Sequence, residues 1–291
     1  EKIDIGRQVY THELTSPDAQ LKYGVSHSTI DNYVREYQLA NGLPVTQRKS
    51  NSANPMKKLS SSTDLETSGE HKHHRGCASH EVHEQQLREN PELAAKMQEI
   101  ERFTQNAITN GRLVNGKIQI PVVVNVLYRT AAENISLTQI QSQIDVLNKD
   151  FNATNSDFNQ VPTVFSGVKA NVGISFVLDA VYRKSTTKTS WGTRDAMKKS
   201  TQGGINPTSP TTKLNLWVCT IGGGILGYAQ FPGGSSATDG VVIDSKYLGT
   251  TGTATAPFNK GRTATHEVGH WMNLRHIWGD ATCGSDLVAD T

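Results

Sequence analysis

The 291-residue sequence predicts an α+β fold in which an α/β-like lobe of strands and helices follows a small all-α segment. A continuous apolar run at residues 122–124, inside the strand-like stretch 117–129, is typical of a buried strand. Apolar residues at helical spacing from Ile140 to Phe151 predict an amphipathic helix over residues 136–152. Near the N-terminus, two short helical patterns flank a Gly-containing turn, which predicts the separate all-α segment.

The remaining elements follow in chain order. Residues 80–110 are predicted to be helical, with Asn90 as an N-cap and Pro91 at a first helical position. Further strands are predicted at residues 174–182, 213–220, 227–231 and 240–243. The sequence shows no internal repeat, and its length allows a sizeable core to be buried.

Composition excludes two classes of protein. The sequence has no 18-residue apolar stretch, which excludes a membrane-spanning chain, and apolar runs that need burial argue against a wholly disordered one. The net charge of +2 is too small to indicate nucleic acid or an acidic membrane by itself. Three cysteines do not make a disulfide framework, so we expect a free thiol or a partner cysteine outside the sequence.

Residues 46–74 separate two regions of different character. This stretch is rich in Ser, Asn and Thr and is predicted to be a linker or pro-segment, between an all-α domain at 1–45 and a larger domain at 75–291. The sequence begins with Glu1, shows no signal-peptide apolar region and stops shortly after its strongest motif. We therefore expect a fragment that is open at both ends.

The strongest motif runs from His266 to His276. Two histidines four residues apart, His266 and His270, lie on one face of a helix, where both imidazoles can reach one tetrahedral zinc ion. Glu267 sits beside the first histidine, where it can contact water next to the metal without being a ligand. His276 can join them only if the chain reverses, and Asn273, which tolerates the left-handed conformation, stands where that turn is needed. The alternative is an amphipathic helix that carries surface histidines.

This string resembles the long zinc signature of the metzincin metalloproteases. Asn273 departs from the commoner glycine of that signature. Over about residues 75–291 the sequence resembles the pappalysin family in particular. The segments that carry this resemblance are residues 227–232, 239–243, 261–265 and 276–280, together with Cys283, Asp286, Val288, Asp290 and Thr291.

The resemblance implies a secreted zinc endopeptidase with a two-lobed, metzincin-like catalytic domain, a twisted mixed sheet and an active-site helix. It implies that His266, His270 and His276 hold zinc, while Glu267 is the general base and then the general acid. It also implies protein or peptide substrates and a preference for a basic residue after the scissile bond. The methionine-containing turn and the cysteine partners of Cys283 are expected after the last residue.

The resemblance further implies that one strand binds the peptide substrate by strand addition, for which an ordinary edge strand is the alternative. The predicted substrate-binding residues are Gly227, Tyr228, Ala229, Gln230 and Phe231. Calcium is a second candidate cofactor, with Asp280, Asp286 and Asp290 as oxygen donors or, alternatively, as solvated loop acids.

Three further residue types receive predictions. Cys77 is a candidate latency switch that would occupy the open zinc position in a zymogen, and a buried structural cysteine is an equal alternative. Cys219 is predicted to lie in the core. Trp271 and Leu274 are predicted to pack the site helix onto its lobe.

The N-terminal segment predicts a helix-turn-helix. Ser16 can cap the first helix, residues 24–26 make the turn, and a second helix at 27–37 buries Ile30 and Tyr33. This segment resembles the DNA-binding part of insertion-sequence transposases over about residues 5–45. The candidate DNA-contacting residues are His27, Ser28, Thr29, Asn32 and Arg35. A helical hairpin that does not bind DNA is the alternative, because residues 1–60 hold eight Lys and Arg against six Asp and Glu.

The two resemblances conflict in location, because pappalysin-like enzymes work outside the cell and transposases beside DNA in the cytoplasm. A natural fusion is one explanation. The favoured explanation is a junction artefact, in which two unrelated coding sequences are joined between about residues 55 and 75. The favoured function is a zinc endopeptidase. The alternatives are a transposase-derived DNA-binding module fused to an inactive protease fragment, and an inactive adhesive domain.

Overall fold

The structure is a computed structural model that divides into two units, Glu1–Ser68 and Gly69–Thr291. It describes residues 2–11, 19, 22–23, 27–41, 76–109, 118–280 and 285–288. The predicted linker and most of the first helix of the helix-turn-helix, with its turn, lie outside these residues.

The first unit contains two described helices, α1 (Lys2–Tyr10) and α2 (His27–Ala40). They share a small core that includes the buried side chains of Ile5 and Ile30. A Cβ atom at Gly6 would lie 2.0 Å from the carbonyl oxygen of Tyr33, so glycine is what lets the two backbones approach this closely. Helix α2 is three residues longer than the predicted second helix at 27–37, and α1 has no counterpart among the predicted elements.

The second unit is built on a six-stranded mixed sheet, which confirms the predicted α+β class. Its strands are β1 (Gly76–Cys77), β2 (Ile118–Tyr128), β3 (Ile174–Ser185), β4 (Leu214–Cys219), β5 (Ile225–Ala229) and β6 (Val241–Asp244). The strand order is β1-β5-β6-β4-β2-β3. Strand β5 runs antiparallel to β6, and the other neighbouring pairs are parallel. The antiparallel strand therefore lies between β6 and the two-residue strand β1.

Four α-helices accompany the sheet: α3 (Ser79–Glu89), α4 (Glu92–Thr109), α5 (Leu137–Phe151) and α6 (Arg262–Trp271). The predicted helix at 80–110 is divided at Asn90 and Pro91, because proline has no N–H to continue the ladder of the preceding helix. The Asn90 side chain accepts a hydrogen bond of 3.2 Å from the Glu92 N–H and so caps α4. Ser136 caps α5 in the same way, through the Gln139 N–H at 3.1 Å.

The main core lies between the sheet, α5 and α6. Ile140, Ile144 and Leu147 are buried there, as the helical spacing predicted, together with Ala264 and Val268 of α6. The opposite face of the sheet buries a second cluster that includes Trp217 and Cys219. Burial of Cys219 confirms its predicted place in the core. Packing in the main core holds α6 against β5 and β6.

A buried glutamine helps to set the start of α6. Gln143 on α5 donates to the Gly261 carbonyl at 3.0 Å and accepts from the Gly249 N–H at 2.7 Å. Gly261 is the N-cap of α6 and has φ 73°, a conformation that favours glycine. Among the described residues, no helix has the length and apolar character needed to cross a bilayer.

Candidate metal centre and catalytic site

The site begins on α6 and continues through the turn that follows it. His266 and His270 lie one helical turn apart on α6, which ends at Trp271. Asn273 then adopts φ 75°, and the Leu274 N–H donates back to the Gly269 carbonyl at 2.9 Å. This left-handed cap confirms the predicted turn at Asn273 and reverses the chain toward the first two imidazoles.

Three imidazole nitrogens converge on one point. The Nε2 atoms of His266 and His270 are 3.0 Å apart, and each lies 3.2 Å from Nε2 of His276. A tetrahedral zinc ion with Zn–N bonds of about 2.0–2.1 Å holds its nitrogen ligands about 3.3 Å apart. The donor set and its spacing therefore fit zinc.

Hydrogen bonds at the other ring nitrogens leave lone pairs on the converging ones. Nδ1 of His270 lies 2.6 Å from the Leu274 carbonyl oxygen, and Nδ1 of His276 lies 2.5 Å from Oδ1 of Asp280. Because both oxygens accept, each Nδ1 carries the proton and each Nε2 is free to bind a metal. Burial lowers the pKa of His266 to about 4 and also lowers the pKa of His270, so both are neutral at pH 7.

Cys77 lies at the same centre, brought there by β1. Its sulfur and one nitrogen from each of the three histidines all lie within 4.8 Å of one another. The thiol also donates to Oε2 of Glu267 over 3.3 Å. Burial, and next the nearby Glu267 carboxylate, raise the pKa of this thiol well above its usual value. Thiolate is a strong zinc ligand, so a fourth donor is available.

Glu267 is buried and has one occupied and one free oxygen. Oε2 accepts from the Ser79 hydroxyl at 2.7 Å, whereas Oε1 has no hydrogen-bond partner among the residues that the structure describes. Burial raises the pKa of Glu267 to about 7, an effect that the Ser79 hydrogen bond reduces. A carboxyl group with this pKa can both accept and return a proton near neutral pH.

The predicted substrate-binding strand differs from expectation in two ways. It ends at Ala229, two residues early, because Pro232 lacks an N–H and Gly233 turns the chain with φ 95°. Its outer edge is also occupied, since β1 pairs with it in parallel and places Cys77 opposite Gly227.

Further hydrogen bonds close that edge. The Ala78 N–H donates to the Gly227 carbonyl at 3.1 Å, and the Ala229 N–H donates to the Ser79 hydroxyl at 2.8 Å. The Tyr228 side chain is buried on the other face, where its hydroxyl donates to Asp195 at 2.9 Å. The chain's own residues 76–79 thus lie where an added peptide strand would pair.

Gln230 and Phe231 follow the strand and are both buried. The Gln230 amide donates to the Ser235 carbonyl at 2.9 Å and accepts from the Thr238 hydroxyl at 2.7 Å, which holds the next loop. The Phe231 ring lies 5.3 Å from the His270 ring, between centroids. Both side chains thus lie buried near the site, and their part in substrate binding stays a prediction.

A cavity of about 480 Å³ opens beside the histidines and Glu267. Phe258, Arg262 and Trp278 contribute to its wall. Arg262 and Trp278 lie in segments that carry the family resemblance, but the sequence predicts no role for them. Arg262 is paired with Asp150 at 3.0 Å and with Asp157 at 2.7 Å. Phe258 belongs to none of those segments, and its place in the wall depends on long-range packing.

The two residues predicted to pack the site helix onto its lobe, Trp271 and Leu274, differ in burial. Leu274 is 52% exposed, so the prediction that it packs the helix is wrong; after the chain reverses at Asn273, its side chain faces solvent. Trp271 is partly buried against the main core and donates to Asp239 at 3.2 Å.

The acidic residues proposed for calcium do not form a cluster in the described part of the chain. Asp280 accepts from His276, and Asp286 accepts from the Val288 N–H at 3.1 Å. Asp290 and Cys283 lie outside the described residues. Calcium binding thus has no support from these contacts.

In the N-terminal unit, Arg35 is exposed on α2. The side chains of His27, Ser28, Thr29 and Asn32 lie outside the described part of the chain. DNA binding by this segment stays a prediction, which a mobility-shift titration of the full chain against salt would test.

Comparison with known proteins places the site in a family. Residues 218–291 match the Peptidase_M43 family model, described as pregnancy-associated plasma protein-A. An extracellular metalloprotease of Colletotrichum graminicola is 32% identical over 229 residues, which are 74% of this chain and 70% of that protein. One of Verticillium alfalfae is 31% identical over 185 residues, which are 59% of this chain and 58% of that protein.

Solved structures agree. A mutant of Tannerella forsythia promirolysin is 41% identical with a TM-score of 0.67, over 75% of this chain and 76% of that chain. Mature mirolysin with a cleaved peptide is 45% identical with a TM-score of 0.59, over 61% and 72% of the two chains. Fold, histidine geometry and relatives together define a metzincin-type zinc metalloendopeptidase. Within that class, the chain belongs to the pappalysin family.

Proposed function

We propose that this chain is the latent form of a secreted zinc endopeptidase, with His266, His270 and His276 as zinc ligands and Glu267 as general base and acid. The observation that carries the proposal is the convergence of three Nε2 atoms at 3.0–3.2 Å near Glu267, whose Oε1 has no hydrogen-bond partner within the described part of the chain. Secretion is supported by the extracellular metalloproteases among its relatives.

The chain's own residues suit hydrolysis of a peptide bond. Bound zinc supplies Lewis acidity, which polarises the scissile carbonyl and makes water a stronger acid. Oε1 of Glu267 would take the proton of the attacking water and then deliver it to the leaving amine. The main chain of Gly227 and Ala229 would orient the substrate once the edge of β5 is free.

Latency is supported by what residues 76–79 occupy. Cys77 offers a sulfur to the zinc position, and Ser79 holds both Oε2 of Glu267 and the Ala229 N–H. These contacts engage the metal centre, the proton acceptor and the substrate strand at once. For a peptide to bind, residues 76–79 must leave the edge of β5.

The test is zinc content and cleavage of a peptide library by the full chain, before and after limited proteolysis, with and without chelator. We expect one zinc per chain and cleavage that appears after proteolysis and disappears with chelator. Glu267→Ala should keep zinc yet lose about 10²–10⁴-fold in rate. Glu99→Ala, an exposed carboxylate on α4, is the control and should leave both unchanged. A folded chain that does not bind zinc, or a fully active Glu267→Ala variant, would contradict the proposal.

The preference for a basic residue after the scissile bond is a finer proposal, and the same library measures it. Arg262 at the cavity wall is neutralised by Asp150 and Asp157, so it does not by itself exclude a cationic side chain. We expect lysine and arginine to be enriched after the cleaved bond. An enrichment of acidic residues there would count against it.

A further inference from the structure

The third histidine is held differently from the first two. His266 and His270 share the regular backbone of α6, which fixes their spacing. His276 lies beyond the helix, in a segment where Asn273, Gly279 and Asp280 have φ of 75°, 59° and 55°. Such a segment does not aim a ring by helical geometry, so side-chain contacts must orient His276.

One contact is made by Asp280. Its Oδ1 lies 2.5 Å from Nδ1 of His276, and the Gly279 N–H donates to the His276 carbonyl at 2.8 Å, which closes the turn that brings the carboxylate to the ring. A positive φ is uncommon for aspartate, so this backbone is set by the local turn. The carboxylate holds the proton on Nδ1 and leaves the Nε2 lone pair directed at the two other histidines.

The second contact is made by Trp278. Its ring stacks on the His276 imidazole with centroids 4.5 Å apart and planes within 4°. Trp278 is 57% exposed, so burial of its own surface is not what holds it there. Parallel stacking restricts rotation of the imidazole about its Cβ–Cγ bond. Tautomer and ring plane are therefore fixed by two different neighbours.

We propose that Asp280 and Trp278 are positioning residues for the third zinc ligand: Asp280 sets the tautomer and direction of the His276 ring, and Trp278 sets its plane. This inference rests on the proposed zinc site. It also gives Asp280 a role other than the calcium ligand suggested by resemblance, since Oδ1 is engaged by His276 and Oδ2 lies 3.5 Å from Nδ1 of His80.

The experiment measures zinc affinity of the full chain by competition with a chromophoric chelator. We expect Asp280→Ala to weaken zinc binding about 10–100-fold, and Asp280→Asn to stay within about threefold of the unchanged chain, because the amide oxygen still accepts from Nδ1. Trp278→Ala should weaken binding by about tenfold, and Trp278→Phe, which preserves a stacking ring, should restore it. The visible spectrum of the Co²⁺-loaded protein should change in both alanine variants and in neither conservative one.

Asp179→Ala is the matched control, because its carboxylate lies on β3 and pairs with Lys213 rather than with a histidine of the site. Equal zinc affinity in both alanine variants and the unchanged chain would overturn the inference, as would an Asp280→Asn variant as weak as Asp280→Ala. If Asp280→Ala does not fold, the zinc affinity of Trp278→Ala tests the inference instead. An unchanged chain that binds no zinc refutes the proposed function itself, whereas normal zinc binding with insensitive variants refutes only the positioning roles.

Discussion

The site is assembled from two segments that differ in kind. Residues 262–280 form a continuous unit, in which one helix and one turn bring three imidazoles and a carboxylate together. Residues 76–79 come from near the start of the second unit of the chain. Cys77 and Ser79 therefore contact Glu267 across 190 and 188 residues of sequence. The first segment contains the groups for chemistry, and the second contacts each of them.

This difference indicates that the catalytic groups and the residues that block them can be altered separately. The imidazoles of His270 and His276 are oriented by contacts within residues 262–280, and His266 is placed by the backbone of α6, so this geometry does not require Cys77 or Ser79. Residues 76–79, in contrast, depend on their partners, because β1 has only two residues and, of the strands that the structure describes, pairs with β5 alone. Changes in the first segment should therefore abolish function, and changes in the second should release it.

The largest effect is expected from His270→Ala, which breaks the first segment. Loss of one of three protein ligands should remove zinc from the purified chain and leave no measurable cleavage after limited proteolysis. Metal analysis by atomic absorption and a peptide assay would measure this. The control is His83→Gln, which changes a buried histidine of α3 that is not one of the three proposed zinc ligands. This variant should keep stoichiometric zinc. If His270→Ala kept full zinc and activity, the first segment would not be the metal centre.

An opposite effect is expected from the second segment. Cys77→Ala and Ser79→Ala should each raise the rate before proteolysis. The double variant should raise it most, because both side chains donate to Oε2 of Glu267, while the thiol alone lies at the zinc position and the hydroxyl alone accepts from the Ala229 N–H. A hydrogen bond to a charged group contributes about 1.5–3 kcal/mol, so each release should amount to about tenfold or more. Initial rates on one peptide measure it.

The control for these variants is Ser166→Ala, whose hydroxyl donates to the Thr163 carbonyl at 2.7 Å on an exposed turn. The rates of all variants should converge after proteolysis, because residues 76–79 then no longer cover the site. A double variant as inactive as the unchanged chain before proteolysis, yet normal afterwards, would show that these two side chains do not maintain latency.

The same contrast explains what could be predicted from the sequence. The turn at Asn273 and the cap at Ser136 were predictable, because each depends on residues within one helical turn. The closure of β5 by Ser79 was not, because a serine 150 residues from Ala229 carries no local signal of that contact. The early end of β5 could have been read from Pro232, whereas the roles of Trp278 and Asp280 required side-chain positions.

The smallest effect is expected at the turn itself. Asn273→Gly removes the cost of a side chain at φ 75° and also the 2.6 Å hydrogen bond from Asn273 to Glu101, so the two changes in unfolding free energy should nearly cancel. Asn273→Val forces a β-branched residue into the left-handed region and should cost about 1–2 kcal/mol. Chemical denaturation of the metal-free and zinc-loaded chains would measure both.

The zinc-loaded chain makes this last comparison sharper. Because the reversal at Asn273 brings His276 to the metal, Asn273→Val should weaken zinc binding as well as stability, while Glu101→Gln, which changes only the partner of the asparagine amide, should leave zinc affinity unchanged. A valine variant with lower stability but undiminished zinc affinity would mean that His276 reaches the metal without the left-handed turn, and the first segment would then depend less on local backbone geometry than its spacing suggests.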